Sequence, residues 1–199
     1  MVNDKKLTRL AVFASGKGSN FWALSQAMQA DDFPAEIVFL VVDHQDAPAV
    51  ALAQQLNLPV HYLNYANFKS RQAAEQSLLT TLQAYRVQGI LLAGYMRILG
   101  ETLIKAYPGR IVNIHPALLP NFPGREGIKD AYEAGVAETG VTIHLVDAGI
   151  DTGPIVAQAP VRRYPRDSLA DLTERIHASE HELYPKTVQQ LVEKGVFNP

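Results

Sequence analysis

The sequence predicts an α/β protein built on a mostly parallel β-sheet with helices on both faces. Short, continuously apolar segments alternate with longer segments in which apolar residues recur at helical spacing. Apolar runs without polar alternation are typical of parallel strands buried on both faces. After Gly140 two strand-like segments follow each other closely, which favours an antiparallel addition at the C-terminal end of the sheet.

The elements can be placed in chain order. Strands are predicted at residues 10–14, 36–42, 59–63, 89–94 and 110–115, and the closely spaced pair at 140–147 and 153–161. Helices are predicted at residues 20–30, 47–57, 69–86, about 100–106 and 168–194, the last of them amphipathic. Because no internal repeat, low-complexity tract or linker interrupts this series, residues 1–199 are expected to form a single domain.

Composition and charge narrow the classes of function. The 199 residues suffice for a full core, since a domain of this size buries roughly 70% of its extended-chain surface. A net charge of −2 gives no sign of a broad nucleic-acid surface, and the lack of cysteine excludes disulfides and thiolate chemistry. Gly16, Lys17 and Asn20 interrupt any signal-peptide run, and no segment approaches the roughly 18 apolar residues of a membrane span. We expect a cytoplasmic protein without nucleic-acid or membrane partners, either a monomer or a homodimer.

Ligands of such sheets bind at the carboxyl ends of the strands. The first of these places is SGKGSN (15–20), between the first strand and the first helix. It matches neither the dinucleotide fingerprint, which would need glycine at Phe21, nor the P-loop, because Gly18 follows Lys17. Its small residues would let an anion approach free N–H groups at the helix N-terminus. Alternatively, Ser19 or Asn20 serves only as a helix cap.

The strand at 110–115 ends in two polar residues, Asn113 and His115, and three prolines follow within eight residues. An amide beside an imidazole can stabilise a developing oxyanion, although a lone histidine is more often structural. The loop DAGIDTGP (147–154) carries two carboxylates, Asp147 and Asp151, which are either part of a polar turn or partners of His115. A carboxylate near the imidazole would raise its pKa towards a useful acid–base range.

His177 and His181 lie four residues apart on the last helix, where they could share a metal ion. The segment HASEH lacks the glutamate that zinc proteases carry directly after the first histidine, and no third ligand is evident. A solvated or substrate-facing helix side is therefore the favoured interpretation, and no metal is expected.

Five motifs, taken in chain order, resemble those of the folate-dependent formyltransferases. NIHPALLPNFPG (113–124) is similar to the signature that these enzymes share, and SGKGSN, GYMRIL, IDTGP and SEHELYP resemble the branch that acts on glycinamide ribonucleotide. The resemblance runs from Leu10 to the last helix. It implies a Rossmann-like, doubly wound fold. It also implies formyl transfer from the co-substrate 10-formyltetrahydrofolate to the amine of 5'-phosphoribosylglycinamide, a step of de novo purine (IMP) biosynthesis.

The resemblance also implies residue roles. Asn113, His115 and Asp151 match catalytic positions, and His144 matches a supporting histidine. The ribonucleotide is expected to contact Gly18, Ser19, Asn20, His177, Ala178, Ser179 and Glu180, with Glu180 as the partner of its amino group. The folate is expected to contact Arg71, Met96, Arg97, Ile98, Leu99, Asn113, Asp147, Ala148, Gly149, Ile150 and Asp151. The N-terminal half would thus bind the phosphoribosyl group, and the C-terminal half would bind folate and carry the catalytic residues.

In the implied reaction the amine attacks the formyl carbon, and negative charge develops on the formyl oxygen. Asn113 would donate a hydrogen bond to this oxygen, while His115, charged with help from Asp151, would stabilise it and act as proton donor. Two features depart from the family pattern. Lys17 stands where many relatives carry a smaller polar residue, and GREGIKDA (124–131) replaces a segment in which relatives often carry a histidine.

Three alternative functions can be distinguished from formyl transfer to glycinamide ribonucleotide by the features that each would need. A methionyl-tRNA formyltransferase would need a further RNA-binding domain and a basic surface, and a formyltetrahydrofolate hydrolase would be expected to carry an N-terminal regulatory domain. A non-catalytic nucleotide-binding module would not need Asn113, His115 and Asp151 together. We therefore expect the glycinamide branch.

Overall fold

The computed structural model describes residues 7–198, and the expectation that the chain begins without a signal peptide falls largely on residues 1–6, outside this range. A seven-stranded sheet has the order β3-β2-β1-β4-β5-β6-β7. The strands are β1 (Thr8–Ala14), β2 (Ala35–Val42), β3 (Val60–Tyr62), β4 (Gly89–Leu92), β5 (Ile111–His115), β6 (Glu138–Leu145) and β7 (Ile155–Arg162). The pairs among β1 to β5 are parallel, whereas β6 and β7 are antiparallel to their neighbours. The predicted fold class is confirmed.

Six α-helices accompany these strands in the described part of the chain, five between strands and the last after β7. They are α1 (Ser19–Ala27), α2 (Ala49–Gln55), α3 (Arg71–Ala84), α4 (Glu101–Ala106), α5 (Gly127–Glu133) and α6 (Leu169–Glu193). Helix α5 and a 3-10 turn at Tyr65–Asn67 were not predicted from the sequence, because segments this short carry little periodic signal. The other elements differ from the prediction only by a few residues at their ends.

Alternate residues of the strands face two separate cores, as the pleat of a sheet requires. On one face Leu10 and Val12 pack with Phe21 of α1 and Tyr184 of α6. On the other face Phe13 packs against α3 and α4, together with apolar residues such as Leu78, Leu82 and Leu103. The two cores leave the carboxyl edge of the parallel strands free of covering helices, and polar side chains lie there.

The order of strands reverses direction between β1 and β4, which places a crevice at the carboxyl ends of these two strands. Helix α6 is attached beneath this crevice by the buried hydroxyl of Tyr184, which lies 3.0 Å from the carbonyl oxygen of Leu92 and 3.1 Å from that of Val112. This hydroxyl can donate to either carbonyl, one at the end of β4 and the other near the start of β5. None of the helices in residues 7–198 is both long and apolar enough to span a bilayer.

Candidate active site

A cleft of about 580 Å³ opens at the carboxyl edge of the sheet. Its wall is formed by the segments that follow β1 and β4, the end of β5, the loop after β6, and one side of α6. Most of the predicted site residues line it: Gly18, Ser19, Asn20, Met96, Arg97, Ile98, Leu99, Asn113, His115, His144, Asp147, Gly149, Ile150, Asp151, His177 and Glu180. The sequence-based rule for parallel sheets therefore locates this region well.

His115 is almost fully buried at the end of β5, and both of its ring nitrogens have partners. Nε2 lies 2.7 Å from the carbonyl oxygen of Phe122. Because a carbonyl can only accept, Nε2 carries the hydrogen of the neutral ring. Nδ1 is then the nitrogen that can exchange a proton, and it lies 3.4 Å from Oδ2 of Asp151.

The prediction that the Asp151 carboxylate acts to raise the pKa of His115 is correct in direction, but the net pKa of His115 is lowered and not raised. Burial lowers the pKa of His115 below its ordinary value, and the nearby Asp151 carboxylate and the bond to Phe122 offset this only in part. The imidazole is therefore neutral near pH 7 in this structure. The carboxylate remains close enough to stabilise an imidazolium that forms during a reaction.

Asn113 lies beside His144, its partner in the β5–β6 pairing. Its Nδ2 is 3.1 Å from Nε2 of His144 and donates 3.5 Å to Oδ1 of Asp151. Nδ1 of His144 donates to the carbonyl of Leu145 at 2.9 Å, so Nε2 accepts from the amide. These bonds fix the amide orientation, and the long contact to Asp151 is the one that a substrate oxygen could most easily replace.

The backbone at Asp151 holds its carboxylate in the cluster. Asp151 has φ of 54°, in the left-handed region that aspartate tolerates better than most side chains. The backbone N–H of Gly124 donates to Oδ2 at 2.8 Å. Burial alone would raise the pKa of Asp151, but the nearby His144 ring, the bond from the Gly124 N–H and the proximity of His115 hold it below its ordinary value. The carboxylate is therefore charged near neutrality.

The segment after β5 is held against β6 by one buried hydroxyl. Thr142 donates to the carbonyl of Ala117 at 2.7 Å and accepts from the backbone N–H of Leu119 at 3.0 Å and the amide of Gln158 at 2.9 Å. The next residues along β6, Ile143 and His144, flank an irregularity in the pairing with β7. Such irregularities redirect side chains, and here His144 turns into the cleft.

The segment GREGIKDA, in which no site residue was predicted, contributes to the cleft. Gly124 and Arg125 line it, and Arg125 donates to the carbonyl of Met96 at 3.2 Å. A Cβ atom on Gly127 would lie 3.0 Å from Nε2 of His115, so glycine lets α5 approach the imidazole closely. Phe122, whose carbonyl accepts from His115, has φ of 55°, as strained a backbone as that of Asp151.

At the other end of the cleft the SGKGSN loop enters α1. Gly18 occupies the N-cap position with φ of 76°, and no side chain caps the helix. The alternative that Ser19 or Asn20 serves as a cap is therefore wrong. Within the described chain the backbone N–H groups of Gly18, Ser19 and Asn20 have no hydrogen-bond partner, as expected for a first helical turn.

Behind this loop lies a buried carboxyl group from α6. Glu180 accepts from Nδ2 of Asn20 at 3.1 Å, while Oδ1 of Asn20 has no partner among the described residues. Burial raises the pKa of Glu180 to about 7, and the bond from Asn20 opposes this only weakly. The cleft thus contains a carboxyl group that titrates near neutral pH.

The side of the cleft formed after β4 is apolar. Met96 and Ile98 expose about half of their surface, at 48% and 51%. Between them Arg97 donates to the buried carboxylate of Asp43 at 2.8 Å. Burial raises the pKa of Asp43, but bonds from Ser15, Arg97 and His44 outweigh it and keep the pKa below its ordinary value. Asp43 was missed in the sequence, where it is one polar residue after an apolar strand.

Four expected contact residues do not line the cleft: Arg71, Ala148, Ala178 and Ser179. Arg71 is exposed at the start of α3, and Ala178 borders a shallow depression with Lys17, His177 and His181. The rings of His177 and His181 are stacked 6.5 Å apart. Within residues 7–198 no group of three or more histidine or acidic side chains is arranged to hold a metal ion.

The sheet topology and this polar cleft define an α/β enzyme that acts at a topological switch point, with an acid–base cluster in the middle of its ligand site. A family model described as formyl transferase matches residues 8–188. The chain belongs to the formyl transferase family, as predicted from the motifs.

Several known proteins resemble the chain over nearly its whole length. It is 40% identical over 186 residues to the phosphoribosylglycinamide formyltransferase of Bacillus subtilis, covering 94% of this chain and 95% of that protein. The crystal structure of glycinamide ribonucleotide transformylase 1 from Geobacillus kaustophilus matches with a TM-score of 0.90 and 48% identity, covering 93% and 98% of the two chains. That of phosphoribosylglycinamide formyltransferase from Bacillus halodurans has a TM-score of 0.91 and 45% identity, with 94% and 97% covered.

Proposed function

We propose that this enzyme transfers a formyl group from 10-formyltetrahydrofolate to the amine of 5'-phosphoribosylglycinamide, and so acts in purine biosynthesis. The observation that carries the proposal is the position of Asn113, His115 and Asp151. They lie in one cleft, between a helix N-terminus with free N–H groups and an apolar wall. The similarity to relatives named for this reaction over nearly the whole chain supports the same substrates.

The apolar end of the cleft suits a folate. Met96, Ile98, Val146 and Ile150 provide apolar surface for a flat heterocycle. Asp147 shapes the opposite wall, because it accepts from the backbone N–H of Gly149 at 3.0 Å and from Thr152 at 2.7 Å. The proposed donor therefore lies between the segment after β4 and the loop after β6.

The other end suits a ribonucleotide. The free N–H groups of Gly18, Ser19 and Asn20 would bind its phosphate, with added attraction from the exposed Lys17. Glu180 would accept from the ribose hydroxyls or the amino group, and only its ionised form can do so with both oxygens. The proposed division assigns the phosphoribosyl group to the N-terminal half of the chain and the folate to the C-terminal half. Glu180 is an exception, because it comes from α6 but lies at the ribonucleotide end.

The chemistry follows from the cluster between the two ends. Attack of the amine on the formyl carbon gives a tetrahedral intermediate with negative charge on oxygen, to which Nδ2 of Asn113 donates in place of its long bond to Asp151. Nδ1 of the neutral His115 takes up a proton as the amine attacks and returns it to the leaving folate nitrogen. The charge of Asp151 stabilises the intermediate imidazolium.

A formyl-transfer assay tests the proposal. Purified protein is mixed with phosphoribosylglycinamide and 10-formyltetrahydrofolate, and the formylated ribonucleotide is measured by mass spectrometry. We expect stoichiometric formation of the product and of tetrahydrofolate. Formation of formylmethionyl-tRNA, or release of formate without any acceptor, would instead support the tRNA formyltransferase or the hydrolase, and the absence of all three reactions would favour a binding module.

A further inference from the structure

The segment between β4 and α4 has an unusual combination of irregular backbone and fixed position. We call Tyr95–Leu99 the donor segment, since its residues form the proposed folate wall of the cleft. It has no regular secondary structure, yet Tyr95 and Leu99 are buried while Met96 and Ile98 are directed outwards. An irregular segment needs external hydrogen bonds to hold one conformation.

Three side chains outside the cleft wall supply these bonds. Ser15 accepts from the backbone N–H of Met96 at 2.9 Å, and Asp43 accepts from the side chain of Arg97 at 2.8 Å. Glu75 of α3 accepts from the backbone N–H of Gly100 at 2.6 Å, directly after the segment. All three acceptors are buried, and none of them lines the cleft.

Glu75 is the most unexpected of the three. Its carboxyl group is completely buried against α4, and Oε2 has no partner among the described residues. A Cβ atom on Gly100 would lie 2.8 Å from Oε2, so the carboxyl group is packed directly against this backbone. Burial of a carboxyl group in an apolar core is costly, and an aliphatic residue would pack there at lower cost if packing were its only role.

We infer that Glu75 is a positioning residue for the formyl donor. It fixes Gly100, and with Ser15 and Asp43 it holds the donor segment in the conformation that binds folate. The inference rests on the proposed function in one respect, namely that this segment contacts the folate. It predicts that loss of Glu75 weakens donor binding selectively, although Glu75 itself touches no substrate.

The variant Glu75→Leu separates positioning from stability, because leucine has a similar volume and removes both the acceptor and the buried carboxyl group. We expect the KM for formyltetrahydrofolate to rise about tenfold, the scale of one lost buried hydrogen bond, with the KM for the ribonucleotide nearly unchanged. The melting temperature should stay the same or rise. Glu75→Gln, which keeps an oxygen acceptor, should restore the donor KM to within about threefold.

Two control variants match these changes. Glu101→Gln removes an exposed carboxylate on α4 that pairs with Lys105, and Leu82→Val trims a buried side chain of α3 two helical turns after Glu75. Neither should change the ratio of the two KM values. If Glu75→Leu does not fold, Ser15→Ala removes the bond to Met96 and must show the same selective rise in donor KM. Equal effects on both substrates, or no rescue by glutamine, would overturn the inference.

Hydrogen exchange gives a second readout that does not depend on turnover. In Glu75→Leu the backbone amides of Met96 and Gly100 should exchange faster than in the unsubstituted protein, while those of β1 and β5 keep their protection. Unchanged exchange at Gly100 would overturn the positioning role whatever the activity. An inactive unsubstituted protein would instead refute the proposed function, and faster exchange in the variant would still support the role of Glu75.

Discussion

The two ends of the cleft present different chemical groups to a ligand. At the end of β5 the site consists of side chains that hydrogen-bond to each other: Asn113, His115, His144 and Asp151. At the start of α1 it consists mainly of backbone N–H groups, with a glycine in the left-handed region and one buried carboxyl group behind it. We refer to these as the side-chain end and the backbone end.

The difference determines how each end responds to substitution. A side-chain site loses its chemistry when one group is removed, and its members are coupled, since each orients another. A backbone site keeps its N–H groups whatever the side chains are, and it is damaged only when the local conformation changes. The same kind of substitution should therefore have very different consequences at the two ends.

The largest effect is expected at the side-chain end. His115→Ala and Asp151→Asn should each lower turnover by about two orders of magnitude or more, the scale of a lost acid–base or oxyanion group. Asparagine tolerates the left-handed backbone of residue 151, so Asp151→Asn tests the charge and not the loop. Turnover is measured at saturating concentrations of both substrates, alongside circular dichroism to verify folding.

Matched controls lie outside the cleft. His61→Ala removes a half-buried histidine of β3, and Asp130→Asn changes a carboxylate of α5, and both should leave turnover within about twofold. Near-normal turnover of folded His115→Ala or Asp151→Asn would refute the mechanism. The acid limb of the pH profile of turnover tests the direction in which Asp151 shifts the pKa of His115. Because the Asp151 carboxylate partly raises this pKa, the Asp151→Asn variant should show a lower pKa for His115.

The second effect concerns the backbone end. Gly18→Ala should raise the KM for the ribonucleotide about tenfold, with little change for the folate, because φ of 76° disfavours a side chain and the new Cβ would lie 2.8 Å from that of Ala49. Gly16→Ala is the matched control, since a Cβ there meets nothing within 4 Å. Steady-state kinetics with each substrate varied in turn give both constants. A selective loss of folate binding in Gly18→Ala would show that the two substrates occupy opposite ends from those proposed.

The location of the side-chain end could be predicted from the sequence, but the net pKa change of its histidine could not. Apolar runs placed the strands along the chain, and the rule that ligands bind at carboxyl edges singled out the strand end with Asn113 and His115, whereas Asp151 was assigned from the resemblance. The effect of Asp151 on the pKa of His115 was predicted with the correct sign, but the net lowering was not, because it depends on the depth of burial, which only the packing of α5 against the ring reveals. Spacing along a chain contains no measure of desolvation.

Residues that support the site from outside were also missed. Asp43 and Glu75 are single acidic residues in ordinary strand and helix contexts, so no motif distinguishes them from solvated surface positions. Their partners, Arg97 and Gly100, come from another part of the chain and meet them only in the folded protein. Glu180 was predicted as a ribonucleotide-binding residue from the resemblance. Its raised pKa could not be predicted, because it follows from burial in the folded protein.

The third prediction concerns stability at the backbone end. The pKa of Glu180 is raised by burial from 4.5 to about 7, so between these values the folded state holds a proton that the unfolded state has released. Stability should therefore be unaffected by Glu180 below about pH 4.5, fall as the pH rises through this window, and stay reduced above about pH 7. Glu180→Gln removes this loss, and should be more stable than the unsubstituted protein by about 1 to 3 kcal/mol at about pH 8.

Denaturant unfolding at about pH 5 and about pH 8 measures this difference, which should be clearly smaller at the lower pH. Glu182→Gln is the control, because Glu182 is exposed two residues further along α6. The same Glu180→Gln variant should bind the ribonucleotide more weakly, as expected when a binding group is kept at a cost in stability. Equal stability of Glu180→Gln and the unsubstituted protein at both pH values would show that Glu180 is not desolvated as the structure implies.

The smallest effect is expected for Lys17→Ala. Lys17 is exposed, close enough to His177 for its charge to help depress the pKa of that histidine, and its flexible ammonium positions an anion less well than fixed N–H groups do. Its removal should raise the KM for the ribonucleotide only about two- to threefold at low salt, and the difference should disappear near 0.5 M salt, where the Debye length is only about 4 Å. Gly18→Ala serves as the comparison, because its effect is conformational, and its KM for the ribonucleotide should stay raised at the same salt concentration.

Screening weakens long-range attraction but leaves backbone geometry unchanged. The KM values of the two variants should therefore diverge as salt is added. A salt-independent defect in Lys17→Ala would mean that the ammonium contacts the phosphate directly, and that the backbone end also relies on a side chain.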